Sequence, residues 1–304
     1  MILSKPDIFD SINFNYKVQI MKSHRQLLKL LLQGWLFMIL PVFFLCTNPA
    51  AAQKKIYIRT DLEGISGVYR WDQVGLEENN ALYQKACEYY MDDVAAVVRG
   101  LRDGGATEIL ICDGHGPKAV IPHMMVPGAK YITGKIVPGT GKSGKSRFWG
   151  LDSSFAGVVL LGAHAMKGTP DGILNHTEDA GRYWYNGVES GELAQNAAMA
   201  GFFGVPPIMV TGDEATCREA RNFFGDKCIT VAVKLGISEE RAVLYPFEET
   251  HKALYEGAKR AVKAIPLCKP YILELPIHAK KIYPPPGTKD KEGIIQSAFD
   301  IMEF

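Results

Sequence analysis

The sequence predicts an α/β domain: a mostly parallel sheet with helices on both faces and a small C-terminal appendage. Three observations lead there. Short apolar runs alternate with long amphipathic stretches from residue 55 to about residue 265, the rhythm of repeated βα units. The first two runs enclose a helical pattern long enough for the crossover that parallel pairing requires. A further run, Gly157–Gly162 (GVVLLG), is apolar throughout, as a strand covered on both faces must be.

The elements follow in order. Residues 55–60 (KIYIRT) read as the first strand, followed by an irregular stretch from Gly64 to Gly75. Asn79 or Asn80 caps a helix from Ala81 to Arg102, along which Leu82, Ala86, Tyr90, Val94, Val97 and Leu101 recur at helical spacing. Asp103-Gly104-Gly105 stops it, and Glu108–Asp113 is a buried strand. Lys130–Val137 reads as another strand, and Arg182–Val188 as a hairpin turning at Asn186-Gly187. Ser190 caps a helix reaching about Phe203. Strand Ile208–Thr211, helix Glu214–Phe224, strand Ile229–Val233 and helix Glu248–Ile265 come next. A last strand near Tyr271–Leu275 precedes a polar, Pro-rich tail, and no internal repeat is present.

The 304 residues are 47% hydrophobic and 22% charged, with a formal net charge of +1. That is ordinary globular composition, and so small a charge gives no basis for a nucleic-acid surface. Lys22, His24, Arg25 and Lys29 precede an apolar run from Leu30 to Cys46, and Asn48-Pro49-Ala50-Ala51-Ala52 follows. Basic, apolar and small-residue regions in that order read as a secretory signal over residues 1–52, starting at Met1 or Met21 and cut after Ala52. The expectation is an exported protein, periplasmic or extracellular, without stable membrane association after cleavage. An uncleaved anchor is the rival, although the run is slightly short for a span. The remainder divides into a metallohydrolase domain at 53–268 and an extension at 269–304 packed on it. Five cysteines stay after cleavage, without a CxxC pair or a disulfide rhythm. Cys217 and Cys228 could pair, with buried thiols the default.

The chemistry begins at Thr60-Asp61-Leu62-Glu63-Gly64, straight after the first strand. Residues two apart in extended chain point to one side, so Asp61 and Glu63 present both carboxylates to one spot. Carboxylates held that close repel unless a proton or cation lies between them. Other candidates fall where strands end: His115 in DGHG after Glu108–Asp113, His164 after GVVLLG, and Glu192 in the first turn of a helix. Function collects at this edge of an α/β sheet. Three carboxylates and two imidazoles suit zinc, with manganese or cobalt as substitutes. The number of ligands fits two ions sharing a carboxylate, and hence hydrolysis by metal-activated water. Each residue alone has a plainer reading: a capping turn for DxE, a loop or buried histidine, a favourable charge near a helix N-terminus for Glu192. Their recurrence at one sheet edge favours the metal. His176, in Asn175-His176-Thr177, is suited to proton transfer or carbonyl polarisation. Asp113 and Asp213 are candidates for orienting the histidines, and Trp149 and Tyr183 for lining the substrate pocket.

Taken together, TDLEGISG, DGHG, LGAHA with Thr169-Pro170 and Asn175-His176, and VESGELAQNA followed by VPPIMVTGDE resemble the DppA-type D-aminopeptidases over roughly residues 55–235. The resemblance implies a zinc exopeptidase removing D-amino acids from short peptides. It implies two zincs bridged by Asp61 and held with Glu63, His115, His164 and Glu192, His176 as nucleophile or base, and a ring-shaped homo-oligomer. The sequence departs from that pattern in a long, basic Gly139–Trp149 segment, in Asp171, in the secretion signal and in the C-terminal extension. A separate motif competes: Gly139–Ser146 fits the phosphate-loop pattern G-x-x-x-x-G-K-[ST]. Pro138 separates it from any strand, and Gly150 breaks the helix that should follow. A metal-dependent amidase or deacylase acting on a non-peptide amide is the other rival.

Overall fold

In the computed structural model the described residues are Arg25, Lys29 and residues 53–304 apart from 76–79, 136–143, 179–180 and 284–289. The chain divides into two units between Ala52 and Gln53. The signal expected over residues 1–52 lies outside the described residues except at Arg25 and Lys29. Among the described residues no helix is long and apolar enough to cross a membrane.

The main sheet takes seven strands in the order β3-β2-β1-β4-β7-β8-β9. These are β1 (Lys55–Thr60), β2 (Glu108–Asp113), β3 (Lys130–Ile132), β4 (Phe155–Leu161), β7 (Pro207–Asp213), β8 (Ile229–Ser238) and β9 (Arg241–Leu244). All neighbours pair in parallel except β9, which turns back on β8. The strand order reverses beside β1: the chain builds outward through β2 and β3, then returns to lay β4 on the other flank. Ligand sites of open α/β sheets form in the crevice at such a switch point, beyond the carboxyl ends of the strands. Register makes the crevice level, because Thr60 lies opposite both Asp113 and Leu161.

Helices cover both faces, as expected. On one side α1 (Asn80–Asp103) and α5 (Phe247–Ala264) pack together over the sheet. The face of α1 that carries Ala86, Tyr90, Val94, Val97 and Leu101 is wholly buried against Ile58, Ile109 and Ile111. Each large side chain removed from water there contributes about 1.5–3 kcal/mol. On the other side lie α3 (Glu192–Phe202) and α4 (Glu214–Phe224), with the one-turn α2 (Gly144–Arg147). A second, antiparallel sheet runs β11-β10-β5-β6, from β5 (Arg182–Tyr185), β6 (Val188–Glu189), β10 (Ile277–Ile282) and β11 (Lys291–Ile295). Asn186 (φ 51°) and Gly187 (φ 83°) make the hairpin turn between β5 and β6.

Several elements differ from expectation. Tyr271–Leu275 forms no strand: the Tyr271 backbone packs on α3, where Gly201 has no room for a side chain beneath the Tyr271 carbonyl. The ladder starts instead at Ile277, and the Pro-rich tail supplies β11. The third strand ends at Ile132 rather than Val137, with residues 136 and 137 outside the described set. Gly191, not Ser190, caps α3, and the Ser190 hydroxyl donates to the Val188 carbonyl. The cap expected at Asn79 falls outside the described residues. Cys217 and Cys228 are free and buried. The Gly139–Ser146 motif is described only from Gly144, where a single helical turn ends at Arg147 and Gly144 sits tight against the Phe299 ring. No long helix follows, so a phosphate cradle has no support.

Candidate metal centre

Asp61 and Glu63 follow the end of β1 and turn both carboxylates onto one point, as expected, but through the turn at residues 62–64 and not by continued strand alternation. The Leu62 amide donates to Asp61 Oδ1 (3.0 Å) and to Glu63 Oε2 (3.2 Å). His115 Nδ1 stands 3.2 Å from Asp61 Oδ1 and 3.4 Å from Glu63 Oε2. The other Asp61 oxygen, Oδ2, faces His164 Nε2 at 3.5 Å. Glu192 Oε1 lies 3.8 Å from that nitrogen and 3.7 Å from His176 Nε2. The rings of His164 and His176 stack at 3.9 Å. Two groups result, Asp61–Glu63–His115 and His164–His176–Glu192, each with its ligand atoms within 4.8 Å of one another. The structure thus brings together all six residues singled out in the sequence.

Backbone carbonyls set the tautomers. A carbonyl only accepts, so the ring nitrogen facing it carries the proton. His115 Nε2 donates to Val74 O (2.7 Å), His164 Nδ1 to Ala165 O (3.0 Å) and His176 Nδ1 to Leu174 O (2.8 Å). The remaining nitrogens turn toward the carboxylates. His164 Nε2 is buried there without a hydrogen-bond partner. Lone pairs facing carboxylate oxygens are stable only with a proton or cation between them, and an outer hydrogen bond of this kind is what orients a metal-binding histidine. The donor set therefore fits divalent ions.

Charge tells the same story. Burial opposes the imidazolium of His164, but Glu192 and Asp61 outweigh it and raise its pKa to about 9. Burial likewise opposes a charged His115, whose pKa Glu63 and Asp61 carry well above the ordinary value. Burial would raise Glu63, yet His115 holds it well below the usual carboxylate range. Asp61 is raised, by burial and then by Glu63 beside it. The pocket is built to hold positive charge.

Close backbone packing makes this geometry possible. Gly64 donates to Gly162 O (2.8 Å), and a Cβ at Gly64 would lie 2.0 Å from Ala163 O. The loop bearing Asp61 and Glu63 therefore rests directly on the loop bearing His164. Asp113 and Asp213 do not touch the histidines. Asp113 Oδ2 accepts from Ala119 N, Val120 N and Thr133 Oγ1, fastening the loop that contains His115. Asp213 Oδ1 caps α4 through Thr216, and its Oδ2 accepts from Ile173 N in the His176 loop. They act on the histidines through the backbone.

A cavity of about 1140 Å³ opens over the centre, reaching Asp61, Glu63, His115, His176 and Glu192. Trp149 lines it and is 58% exposed, whereas Tyr183 is buried in the core beside the small sheet. Sequence reasoning missed three supports. Lys234, wholly buried on β8, donates to the carbonyls of Glu63 (2.6 Å), Ile65 (2.9 Å) and Val68 (2.5 Å). Its signal was a lone lysine inside the apolar run TVAVKLG. Trp71 sets its ring edge against His176 at 5.4 Å, and Val74 holds His115. Their stretch, read as irregular, forms the 3-10 turn Trp71–Gln73, and nothing in its pattern announced that role.

The comparisons with known proteins bear on the same residues. A family model described as Peptidase M55, D-aminopeptidase, matches residues 54–282. A D-aminopeptidase of Bacillus subtilis (strain 168) is 32% identical over 187 residues, 60% of this chain and 65% of that protein. The match thus spans just under two thirds of that relative's length. The chain also superposes on a solved structure described as the Zn-dependent D-aminopeptidase DppA from Bacillus subtilis, a self-compartmentalizing protease. The TM-score is 0.74 at 24% identity, covering 82% of this chain and 94% of that one. Likeness at that identity speaks to the fold. The family match, which spans about three quarters of the chain and takes in both ligand groups, settles the affiliation: this protein belongs to the peptidase M55 (D-aminopeptidase) family.

Proposed function

We propose that the protein is a binuclear zinc aminopeptidase that removes N-terminal D-amino acids from short peptides. The observation that carries the reading is the shared carboxylate: Asp61 turns one oxygen to His115 and the other to His164. Carboxylates and imidazoles without a thiolate suit zinc, with manganese or cobalt as substitutes. Asp61, Glu63 and His115 would hold one ion, and Asp61, His164 and Glu192 the other. When bound, the pair would supply Lewis acidity and a water activated near neutral pH.

The chain's own residues do the rest. His176 lines the cavity with its Nδ1–H fixed on Leu174 O, leaving Nε2 to accept a proton from the attacking water and pass it to the leaving amine. The Trp71 edge restrains the ring. The description of the solved relative as zinc-dependent and self-compartmentalizing supports zinc here and a homo-oligomer. The basic, apolar and Ala-rich order of residues 22–52 supports export by a cleaved signal.

Chelation should abolish hydrolysis of a dipeptide with an N-terminal D-residue, and added zinc should restore it. A panel pairing D- and L-terminal dipeptides with non-peptide amides then separates a D-aminopeptidase from a general amidase. Equal turnover of both stereoisomers, or turnover untouched by chelation, would overturn the reading.

A further inference from the structure

Resting on the aminopeptidase reading, we propose that Arg59 anchors the free C-terminal carboxylate of the substrate, making the enzyme selective for very short, uncapped peptides. Arg59 lies on β1 two residues before Asp61, which follows the strand directly, so strand alternation puts the two on one side, and the turn after it brings Glu63 beside them. All three line the cavity over the metal centre.

Arg59 is only 7% exposed, yet among the described residues no carboxylate lies within ion-pair distance of it. Its hydrogen bonds are long: Nη1 to Cys112 Sγ at 3.6 Å and Nη2 to Gly114 O at 3.5 Å. A guanidinium offers five donors in a flat fork matched to a carboxylate. A charge so enclosed is costly; Asp61 nearby offsets part of that cost without an ion-pair contact, and the fork of donors itself is left without a carboxylate. The neighbouring cations Lys118 and Arg147 are already engaged, Lys118 with the His115 and Asp113 carbonyls and Arg147 with Glu178 at 2.7 Å. Among the described residues lining the cavity, Arg59 is the buried cation left to receive an anion, Lys135 being exposed to solvent.

The seat is shaped for it. A Cβ at Gly114 would fall 2.6 Å from Arg59 Cζ, so the glycine makes room for the guanidinium in the crook of the DGHG loop. The Phe148 ring lies 5.6 Å beneath, which holds the plane by cation–π attraction. Reach limits the length. Arg59 and Asp61 are two positions apart, about 7 Å along an extended chain, and each residue beyond the scissile bond spans about 3.5 Å. Only a peptide with one or two residues beyond that bond would bring its carboxylate within reach of the Arg59 side chain.

The test compares a D-alanine dipeptide with its C-terminal amide on the zinc-loaded enzyme. The acid should show a kcat/KM at least about tenfold above the amide, expressed chiefly in KM, the size expected of one charge-assisted pair. Arg59→Gln should bring the acid-to-amide ratio close to one, and Arg59→Lys should restore part of it. If Arg59→Gln does not fold, the wild-type pair and Arg59→Lys still decide. Equal kcat/KM for acid and amide in the wild type would overturn the anchor while leaving the aminopeptidase intact. So would a variant that slows both substrates alike, the mark of a guanidinium that merely balances Asp61. If the wild type cleaves neither, the aminopeptidase reading itself falls, and the anchor with it.

Discussion

Replacing Lys234 with methionine tests how the metal loop is held. The side chain is 0% exposed, and its ammonium is the common donor to three carbonyls of the loop that follows β1. Methionine fills nearly the same volume, so the loss is one of bonding rather than packing. Three bonds to a charged donor contribute roughly 1.5–3 kcal/mol each, or about 5–9 kcal/mol. Burial opposes the charge and brings the lysine from 10.5 down to about 8, which offsets about 3 kcal/mol. Lys234→Met should therefore cost about 2–6 kcal/mol by urea denaturation of the metal-free protein, and should lower zinc retention by loosening Glu63. The pH dependence has a definite sign. Between pH 8 and 10.5 the unfolded chain holds a proton that the folded chain has released, so wild-type stability rises with pH across that window. The advantage of wild type over the variant should grow by up to about 3 kcal/mol there. A variant within 0.5 kcal/mol of wild type at pH 7, or a gap that narrows above pH 8, would refute the reasoning, both thresholds lying outside the roughly expected range.

Other predictions follow from the same geometry. Asp61→Ala removes the carboxylate shared by both groups, so zinc measured by elemental analysis should drop from two equivalents to one or fewer and hydrolysis should vanish. His176→Ala should keep both equivalents and lower kcat by about a hundredfold to ten-thousandfold; loss of an ion would instead make His176 a ligand. Gly64→Ala drives a methyl onto Ala163 O, and should destabilise by several kcal/mol with loss of zinc, read by thermal melting and metal content.

The site was more legible than the scaffold around it. Asp61 and Glu63 were readable because two acids with one residue between them follow an apolar strand, although it is the turn at 62–64, with the Leu62 amide donating to both, that brings their carboxylates together. His115, His164 and Glu192 were readable because each follows an apolar run or opens a helix, and parallel topology gathers those ends at one edge. His176 lies in a loop with no period, so its chemistry rather than its position marked it. The small sheet was harder. Ile277, Ala279 and Lys281 do alternate inward, but adjacent prolines and lysines masked the pattern, while apolar Tyr271–Leu275 mimicked it. Arg59 and Lys234 are invisible to periodicity because each is a charge on a face that should be apolar. That is itself a mark of work done through the backbone or the cavity.

Glu192 begins α3, whose apolar side is backed by Ala298, Ile301 and Met302 in the 3-10 turn Ala298–Glu303. Those residues are translated about a hundred positions after Glu192. The sheet supports one side of this helix and the distant 3-10 turn the other. The position of Glu192 is therefore coupled to a segment far along the chain, so that loosening residues 298–302 should disturb the candidate metal centre without touching any residue in it.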